Sequence, residues 1–283
     1  MDEHRLSVDL LSPEAVTEKA ESIGVKKAKN TLRSTVMLGI LAGVFIGLAG
    51  EFYTMCTFDT QTGYSLTKLL GGLAFSLGLI LVVITGAELF TGNTLLVIAY
   101  MTKKITLGDL LRNWLLVYIG NFIGASLVVF LVLYSKQWAV KEYAFAVEAV
   151  KIGTTKLSYD FFTVIIRGIL ANLLVVLGVW LSYAGRTLSD KLLAVIFPVT
   201  AFVASGFEHS IANMYFIPLA LSLKSLPQVQ QALSHLAHPI VFDNLTVPGF
   251  IFNNLIPATI GNIIGGGIFV GLAYWFVYLY KRV

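Results

Sequence analysis

Charged side chains are scarce in this chain of 283 residues. Asp, Glu, Lys and Arg make up 13% of it, against about a quarter in soluble domains, while hydrophobic residues make up 57%. The mean hydropathy is +0.80. This composition excludes a soluble globular domain and predicts an all-α membrane protein that crosses the bilayer several times.

A cleavable signal peptide is also missing from the first 30 residues. They are polar and contain Glu14, Glu18 and Glu21, where a signal peptide would have a basic end followed by an apolar core. We therefore expect the N-terminus to stay in the cytoplasm.

Potential metal ligands are few. The single cysteine, Cys56, excludes an internal disulfide and gives no metal-site spacing. Inside the apolar runs, Glu88, Glu208 and His209 are too few and too irregularly spaced for a catalytic metal. We expect no metal, no cofactor and no enzymatic activity. An intramembrane enzyme built on these three residues is the alternative from a different functional class.

Two other signatures are missing. Water channels carry paired Asn-Pro-Ala loops, and ammonium channels carry paired pore histidines, but neither pair occurs here. The formal net charge of +4 is modest, and the basic residues lie at the ends of apolar runs. Their placement indicates membrane topology, so we expect no nucleic-acid partner.

Six apolar runs have the roughly 20 residues needed to cross the hydrocarbon. The second and fifth run past 30 residues, and each carries a glutamate near a glycine in its middle. We predict that both are broken helices, each made of two half-spans. The predicted spans are approximately residues 34–55, 68–100, 108–135, 161–184, 191–223 and 250–280.

A polar segment, residues 1–33, precedes the membrane-spanning domain of residues 34–283. Its Ser12-Pro13-Glu14 sequence predicts the start of a short amphipathic helix that ends at Gly24. With this segment inside, thirteen of the twenty Lys and Arg residues fall on the cytoplasmic side, which predicts that both termini are cytoplasmic. Residues 136–160 then form an exterior segment of mixed charge.

The chain also contains an internal repeat. Two short motifs of the first half recur in the same order in the second half, so the region of about 34–135 repeats as about 161–280. A repeat of three spans must be inverted relative to its copy, and in such proteins the binding site lies near the midplane. The matching motifs are Gly86-Ala87-Glu88 with Gly206-Phe207-Glu208, and residues 118–124 with residues 259–265.

Glu88 and Glu208 lie beside the two predicted breaks. A broken helix frees backbone amides that lipid cannot satisfy, so we interpret both carboxylates as braces that accept hydrogen bonds from these amides. His209 has no counterpart in the first half. Its ring can donate, accept and change charge near neutral pH, which favours a role in permeation or proton exchange.

Five segments, in order and spread over the spans, resemble the formate/nitrite transporter family, and within it the bacterial formate channels. These segments are Gly86–Thr91, Asn113–Asn121, Gly168–Asn172, Gly206–Met214 and Asn254–Asn262. The resemblance implies a homopentamer of aquaporin-like protomers in the bacterial inner membrane. Each protomer would have its own pore and six transmembrane helices in two inverted three-helix repeats.

The resemblance also implies positions along the pore. Thr91 would lie within hydrogen-bonding reach of His209, Asn172 and His209 would line a small polar chamber, and Lys156 would attract anions on the exterior approach. Two apolar constrictions would enclose the chamber. The implied cytoplasmic constriction contains Leu79, Phe90 and Val175, and the periplasmic one contains Phe75, Leu89 and Phe202.

Formate is the implied substrate, with nitrite and hydrosulfide as alternatives within the family. Two modes of transport are open at this point. The anion could pass charged, with hydrogen-bond donors replacing part of its hydration, or His209 could relay a proton so that the neutral acid crosses the apolar constrictions. A gating role of the N-terminal helix is a further open alternative.

Overall fold

The computed structural model describes residues 10–236 and 239–282. The first nine residues of the predicted N-terminal segment lie outside this part of the chain. Within it the regular structure is helical and contains no strand. The helices are α1 Pro13–Ala28, α2 Leu32–Thr57, α3 Tyr64–Thr85, α4 Phe90–Asn93, α5 Leu96–Met101, α6 Leu107–Tyr134, α7 Ala144–Lys156, α8 Phe161–Ala184, α9 Leu188–Ala204, α10 Ser210–Leu223, α11 Pro227–Ser234 and α12 Gly249–Tyr278.

Among the described residues, five helices are long and apolar enough to cross a membrane: α2, α3, α6, α8 and α12. Between 44% and 50% of the most apolar window of each is buried inside the chain. The rest is an outward apolar surface, with side chains such as Phe162 of α8 and Val277 of α12 exposed to 76% and 67%. Such surfaces are typical of contact with lipid or a neighbouring subunit.

The two predicted helix breaks are confirmed. α3 ends at Gly86, whose φ is 76°, and α9 is followed by Gly206, whose φ is 70°. Glycine adopts this left-handed conformation without the steric cost that a side chain brings. In both places the chain then runs extended before a short helix begins, at Phe90 in α4 and at Ser210 in α10.

Small residues bring the helices that flank each break close together. A Cβ atom on Gly39 of α2 would lie 3.2 Å from the Val117 carbonyl oxygen of α6. One on Gly168 of α8 would lie 2.9 Å from the Ala258 carbonyl oxygen of α12. These close approaches place polar side chains of α6 and α12 next to the breaks.

The N-terminal helix is longer than predicted: α1 continues through Gly24 to Ala28. The prediction that it ends at Gly24 is wrong because this glycine serves packing and not termination. A Cβ atom there would lie 3.2 Å from the Cβ of Ala99 in α5. An ion pair of 2.5 Å between Glu21 and Lys104 fixes the same contact.

A second tie joins α1 to the end of α8. The ammonium group of Lys19 donates to the Tyr183 carbonyl oxygen at 2.7 Å. Burial, together with the positive charges of Lys191 and Arg186, lowers the pKa of Lys19 below its usual value. α1 is therefore packed beneath the helix bundle.

The helix α7 lies in the segment predicted only as an exterior stretch of mixed charge. Its buried residues include Phe145, Ala149, Val150 and Gly153, a spacing that is typical of one helical face. This face packs on α10. The charged residues Lys151 and Lys156 of the same segment had obscured the pattern.

Candidate functional site

The two breaks meet at a hydrogen bond between Thr91 and His209. Thr91 lies in the single turn of α4, and His209 is the N-cap of α10. Thr91 Oγ1 is 2.9 Å from His209 Nε2, and both residues are buried. The contact implied by the family resemblance is therefore present.

A second hydrogen bond fixes the tautomer of His209. Its Nδ1 accepts from the Ala212 backbone N–H at 3.1 Å, so in the neutral ring the proton lies on Nε2 and points to Thr91. An imidazolium could not keep this arrangement, because both of its ring nitrogens donate. The Thr91 hydroxyl proton has no acceptor among the described residues, so it remains available to a ligand.

Asn121 of α6 holds the first break. Its side-chain oxygen accepts from the Phe90 backbone N–H at 2.9 Å. Its amide group donates to the carbonyl oxygens of Gly39 and Glu88, at 2.8 and 2.9 Å. One buried side chain thus joins α2, the break and α4.

Asn262 of α12 holds the second break with the same set of bonds. It accepts from the Ser210 N–H at 2.9 Å and donates to the carbonyl oxygens of Gly168 and Glu208, at 2.8 and 3.0 Å. The expectation that the two glutamates accept bonds from the freed amides is therefore wrong. Asparagine can both accept and donate, which an ionised carboxylate cannot do.

The Glu88 carboxylate instead ties side chains together. It accepts from the Asn93 amide at 2.5 Å and lies 3.4 Å from the Lys27 ammonium group. Asn93 also donates to Asn113 of α6, and its oxygen accepts from Lys27 at 2.7 Å. The buried charge of Glu88 is thus paired and hydrogen-bonded, as a charge at this depth requires.

Glu208 has the equivalent surroundings. It accepts from the Asn213 and Asn254 amides at 2.6 and 3.0 Å and pairs with Lys156 at 3.2 Å. Asn213 also donates to Asn254 of α12 at 2.6 Å. Lys156 therefore faces the predicted approach but is bound to a buried carboxylate.

Two cavities lie near the Thr91–His209 contact, one lined by His209 itself and the other by Leu89 and Gly92 of the first break. The α7 cavity, named for the helix that borders it, has a volume of about 340 Å³, and its lining includes Phe75, Lys156, Phe202 and His209. The α1 cavity has a volume of about 190 Å³. Its lining includes Ile23, Lys27, Leu79, Leu89 and Tyr183.

Apolar side chains implied for the two constrictions line these cavities. The Phe75 and Phe202 rings are 6.0 Å apart, and the Phe202 ring lies 5.8 Å from that of His209. Leu89, implied to join these two, lines the α1 cavity with Leu79 instead. Its place in the periplasmic constriction stays a prediction.

The extended backbone of the first break explains why the Leu89 and Phe90 side chains have different neighbours. Leu89 has φ −101° and ψ 124°, so its side chain and that of Phe90 point to opposite sides. The Phe90 ring packs on Trp114 and Tyr118, with centroids 5.9 and 4.9 Å away. Phe90 and Val175 are buried but line neither cavity.

Asn172 also lines neither cavity. Its amide donates to the carbonyl oxygens of Asn262 and Thr91, at 2.6 and 3.2 Å, and lies 3.3 Å from the Thr94 hydroxyl. Its side-chain oxygen is buried without a partner among the described residues. Asn172 thus positions Thr91, and the polar chamber implied for Asn172 and His209 stays a prediction.

Sequence reasoning missed Asn93, Asn113, Asn213 and Asn254. The sequence contains a signal for them. Each break glutamate is followed five residues later by an asparagine, and the next long helix in each half contains two asparagines eight residues apart. No cluster of three or more metal-ligating side chains occurs in the part of the chain that the structure describes.

Comparison with known proteins agrees with the motifs. The model of the formate/nitrite transporter family matches residues 14–276. The formate channel FocA of Escherichia coli (strain K12) is 46% identical over 272 residues, covering 96% of this chain and 95% of that protein. The formate channel FocA of Haemophilus influenzae is 39% identical over 274 residues, covering 96% of each.

A solved structure agrees as well. A pentameric formate channel with formate bound is 44% identical and matches with a TM-score of 0.81, covering 88% of this chain and 98% of that one. These are transport proteins, so the alternative of an intramembrane enzyme at Glu88, Glu208 and His209 is set aside. The all-helical membrane fold and the family expected from the motifs are confirmed: the chain belongs to the formate/nitrite transporter family.

Proposed function

We propose that this chain is a channel for formate, and that formate crosses each protomer between the α7 cavity and the α1 cavity. The observation that carries the proposal is the buried Thr91–His209 hydrogen bond, with the α7 cavity against His209 and the α1 cavity against Leu89 and Gly92. The relatives that are named formate channels support formate over nitrite and hydrosulfide.

The two donors at this contact suit an anion. The Thr91 hydroxyl can donate to a carboxylate oxygen, and the Nε2–H of His209, which donates to Thr91 Oγ1, can share its hydrogen with the same anion, so together they replace part of its hydration. Because Nδ1 of His209 already accepts from Ala212, the ring acts as a neutral donor. This arrangement favours passage of the charged anion, with any accompanying proton carried by water and not by the imidazole.

Flanking apolar residues give the contact its selectivity. Phe75 and Phe202 on one side, and Leu79 and Leu89 on the other, would strip a hydrated ion of its water without replacing it. Only an anion small enough to reach Thr91 and His209 directly regains hydrogen bonds. Asn172 supports this site by positioning Thr91, while Phe90 and Val175 pack behind the constriction.

For the architecture we infer six spans in two inverted repeats. The spans are α2, α3 with α4 and α5, α6, α8, α9 with α10, and α12. The inference is supported by the paired bonding sets of Asn121 and Asn262 and of Glu88 and Glu208, since equivalent residues make equivalent bonds in each half. With three spans in each half, the halves have opposite orientation.

We further infer a homopentamer in the bacterial inner membrane, with the segment of residues 1–33 and both termini on the cytoplasmic side. The outward apolar faces and the pentameric relative support the assembly. The distribution of Lys and Arg supports the orientation. In this orientation the α7 cavity opens to the periplasm.

Competition between anions tests the proposed substrate. Purified protein in liposomes is mixed rapidly with formate, nitrite or hydrosulfide, and swelling or internal pH is followed. We expect formate to enter fastest and to be slowed by an excess of the other two. Faster entry of nitrite or hydrosulfide, unaffected by formate, would assign a different substrate within the family.

A further inference from the structure

The α7 cavity carries an excess of positive charge that the α1 cavity lacks. Its lining contains four basic side chains but only two carboxylates, those of Glu148 and Glu208. In the α1 cavity Lys27 is the only basic lining residue, and it pairs with Glu88 at 3.4 Å. The basic residues of the α7 cavity are Lys68, Lys151, Lys156 and Arg167.

Lys156 does not supply this excess. Its ammonium group lies 3.2 and 3.4 Å from the two carboxylate oxygens of Glu208, so its charge is balanced at short range. Lys68 and Lys151 share the single carboxylate of Glu148, whose pKa burial raises more than the charges of these two lysines lower it, so they carry one of the two excess charges. The remaining basic residue is Arg167.

The Arg167 guanidinium is held in place without being neutralised. Its Nη1 donates to the Gly206 carbonyl oxygen at 2.9 Å, and its Cζ lies 3.8 Å from the centre of the Tyr159 ring. Within the described residues no carboxylate oxygen lies within 4.0 Å of it, and no other side-chain bond engages its remaining N–H groups. A guanidinium has five N–H donors, so several stay available.

We propose that Arg167, which lines the α7 cavity together with Phe202 and His209, binds the permeating anion and so raises the anion concentration beside these two residues. The proposal rests on the function proposed above and adds a residue to that pathway. Stacking on Tyr159 and bonding to Gly206 fix the guanidinium beforehand, so little side-chain entropy is lost when an anion binds. The recognised ligand is a small monovalent carboxylate or an anion of similar size.

The first half of the chain provides the matched reference. The Glu208 N–H donates to the Arg167 carbonyl oxygen at 3.3 Å, and the Glu88 N–H donates to that of Leu38 at 3.1 Å. Arg167 and Leu38 are therefore equivalent in the two bonding sets. Arg167→Leu gives the second break the residue that the first break already accommodates.

Salt dependence separates recruitment of the anion from support of the Gly206 turn. Formate uptake into liposomes is measured at about 0.01 M and about 1 M ionic strength, where the Debye lengths are about 30 and 3 Å. At low salt we expect Arg167→Leu to raise the KM for formate at least about threefold with little change in maximal rate. At high salt the variant and the parent protein should converge, and Arg167→Lys should keep most of the low-salt uptake.

Two further variants keep the test decisive. Lys136→Asn removes an exposed cation outside the cavity, at a backbone φ of 59° that asparagine tolerates, and should leave the KM unchanged. Arg167→Gln keeps a donor for Gly206 but loses the charge, so it replaces Arg167→Leu if that variant does not assemble. The proposal would be overturned if the KM for formate rose equally at both ionic strengths. It would also be overturned if the KM rose in neither Arg167→Leu nor Arg167→Gln. Failure of the parent protein to conduct formate would instead overturn the proposed function.

Discussion

At the scale of single residues, His209 is fixed from two directions. Ala212 donates to its Nδ1, and its Nε2 lies against Thr91. A ring held in this way has one orientation and one neutral tautomer, so what it offers a substrate is a hydrogen-bond donor. Its role in transport then depends on the hydroxyl beside it.

Replacing Thr91 tests that dependence. Thr91→Val keeps the shape but removes the oxygen that accepts from His209, leaving a buried donor unsatisfied at a cost of about 1–3 kcal/mol. We expect formate uptake to fall by about one order of magnitude or more, and Thr91→Ser, which keeps the hydroxyl, to retain most of it. Stopped-flow uptake into liposomes measures both. Equal uptake by the valine variant would exclude the hydroxyl from the pathway.

Glu208 stabilises the fold as the counter-ion of Lys156. Glu208→Gln leaves the ammonium group of Lys156, whose side chain is 16% exposed, without its counter-ion. Removing one partner of a buried pair costs about 3–5 kcal/mol, and we expect the lower end because Lys156 retains some solvent contact. The yield of folded oligomer in size-exclusion chromatography should fall.

A double variant separates charge from packing in this pair. Lys156→Met removes the stranded cation, so the combination with Glu208→Gln should recover part of the lost yield. Normal assembly of Glu208→Gln with loss of formate uptake would contradict the role as a structural tie. Glu208 would then belong to the substrate path.

At the scale of elements, each break is a repeated unit of glycine, extended residues and a short helix, tied by one asparagine of a neighbouring long helix. Sequence reasoning predicted where the breaks lie because a buried acid next to a glycine is costly inside a continuous apolar helix. It did not predict which side chains satisfy the freed amides. That choice depends on how closely α2 approaches α6 and α8 approaches α12, which is a tertiary property.

The asparagine ties predict equal sensitivity of the two halves. Asn121→Ala leaves the Phe90 N–H unsatisfied, and Asn262→Ala does the same to the Ser210 N–H. Each loss should cost about 1–3 kcal/mol and lower the temperature at which the detergent-solubilised protein unfolds. Circular dichroism or tryptophan fluorescence measures it. An effect confined to one half would argue against equivalent roles.

Substitution by alanine should have different effects at Gly86, which lies at the first break, and at Gly120, which lies where α6 contacts α2. A Cβ atom on Gly86 would meet nothing within 4 Å, so Gly86→Ala costs only the left-handed conformation, about 1–2 kcal/mol. On Gly120 it would lie 2.9 Å from the Val36 carbonyl oxygen, forcing α6 away from α2. We therefore expect Gly120→Ala to reduce folded yield more than Gly86→Ala, as read by size-exclusion chromatography. A larger loss of folded yield for Gly86→Ala than for Gly120→Ala would contradict the close packing of α2 on α6.

At the scale of the whole molecule, the apolar runs and the motifs sufficed to predict an all-helical membrane protein of this family. The helix α7 was missed because charged residues interrupt its apolar face. The direction of the Leu89 side chain needed the structure because it depends on one extended residue. The excess charge of the α7 cavity also needed the structure. That Lys156 does not contribute to it follows from its contact with Glu208, a residue 52 positions away.

The central claim is that formate crosses each protomer past His209. Formate uptake into liposomes by the parent protein, His209→Phe and the control His235→Phe tests it most directly, since His235 is exposed at the end of α11. We predict unchanged assembly for all three, a loss of at least about tenfold for His209→Phe, and no loss for His235→Phe. Uptake by assembled His209→Phe at the parent rate would contradict the account and place the pathway elsewhere.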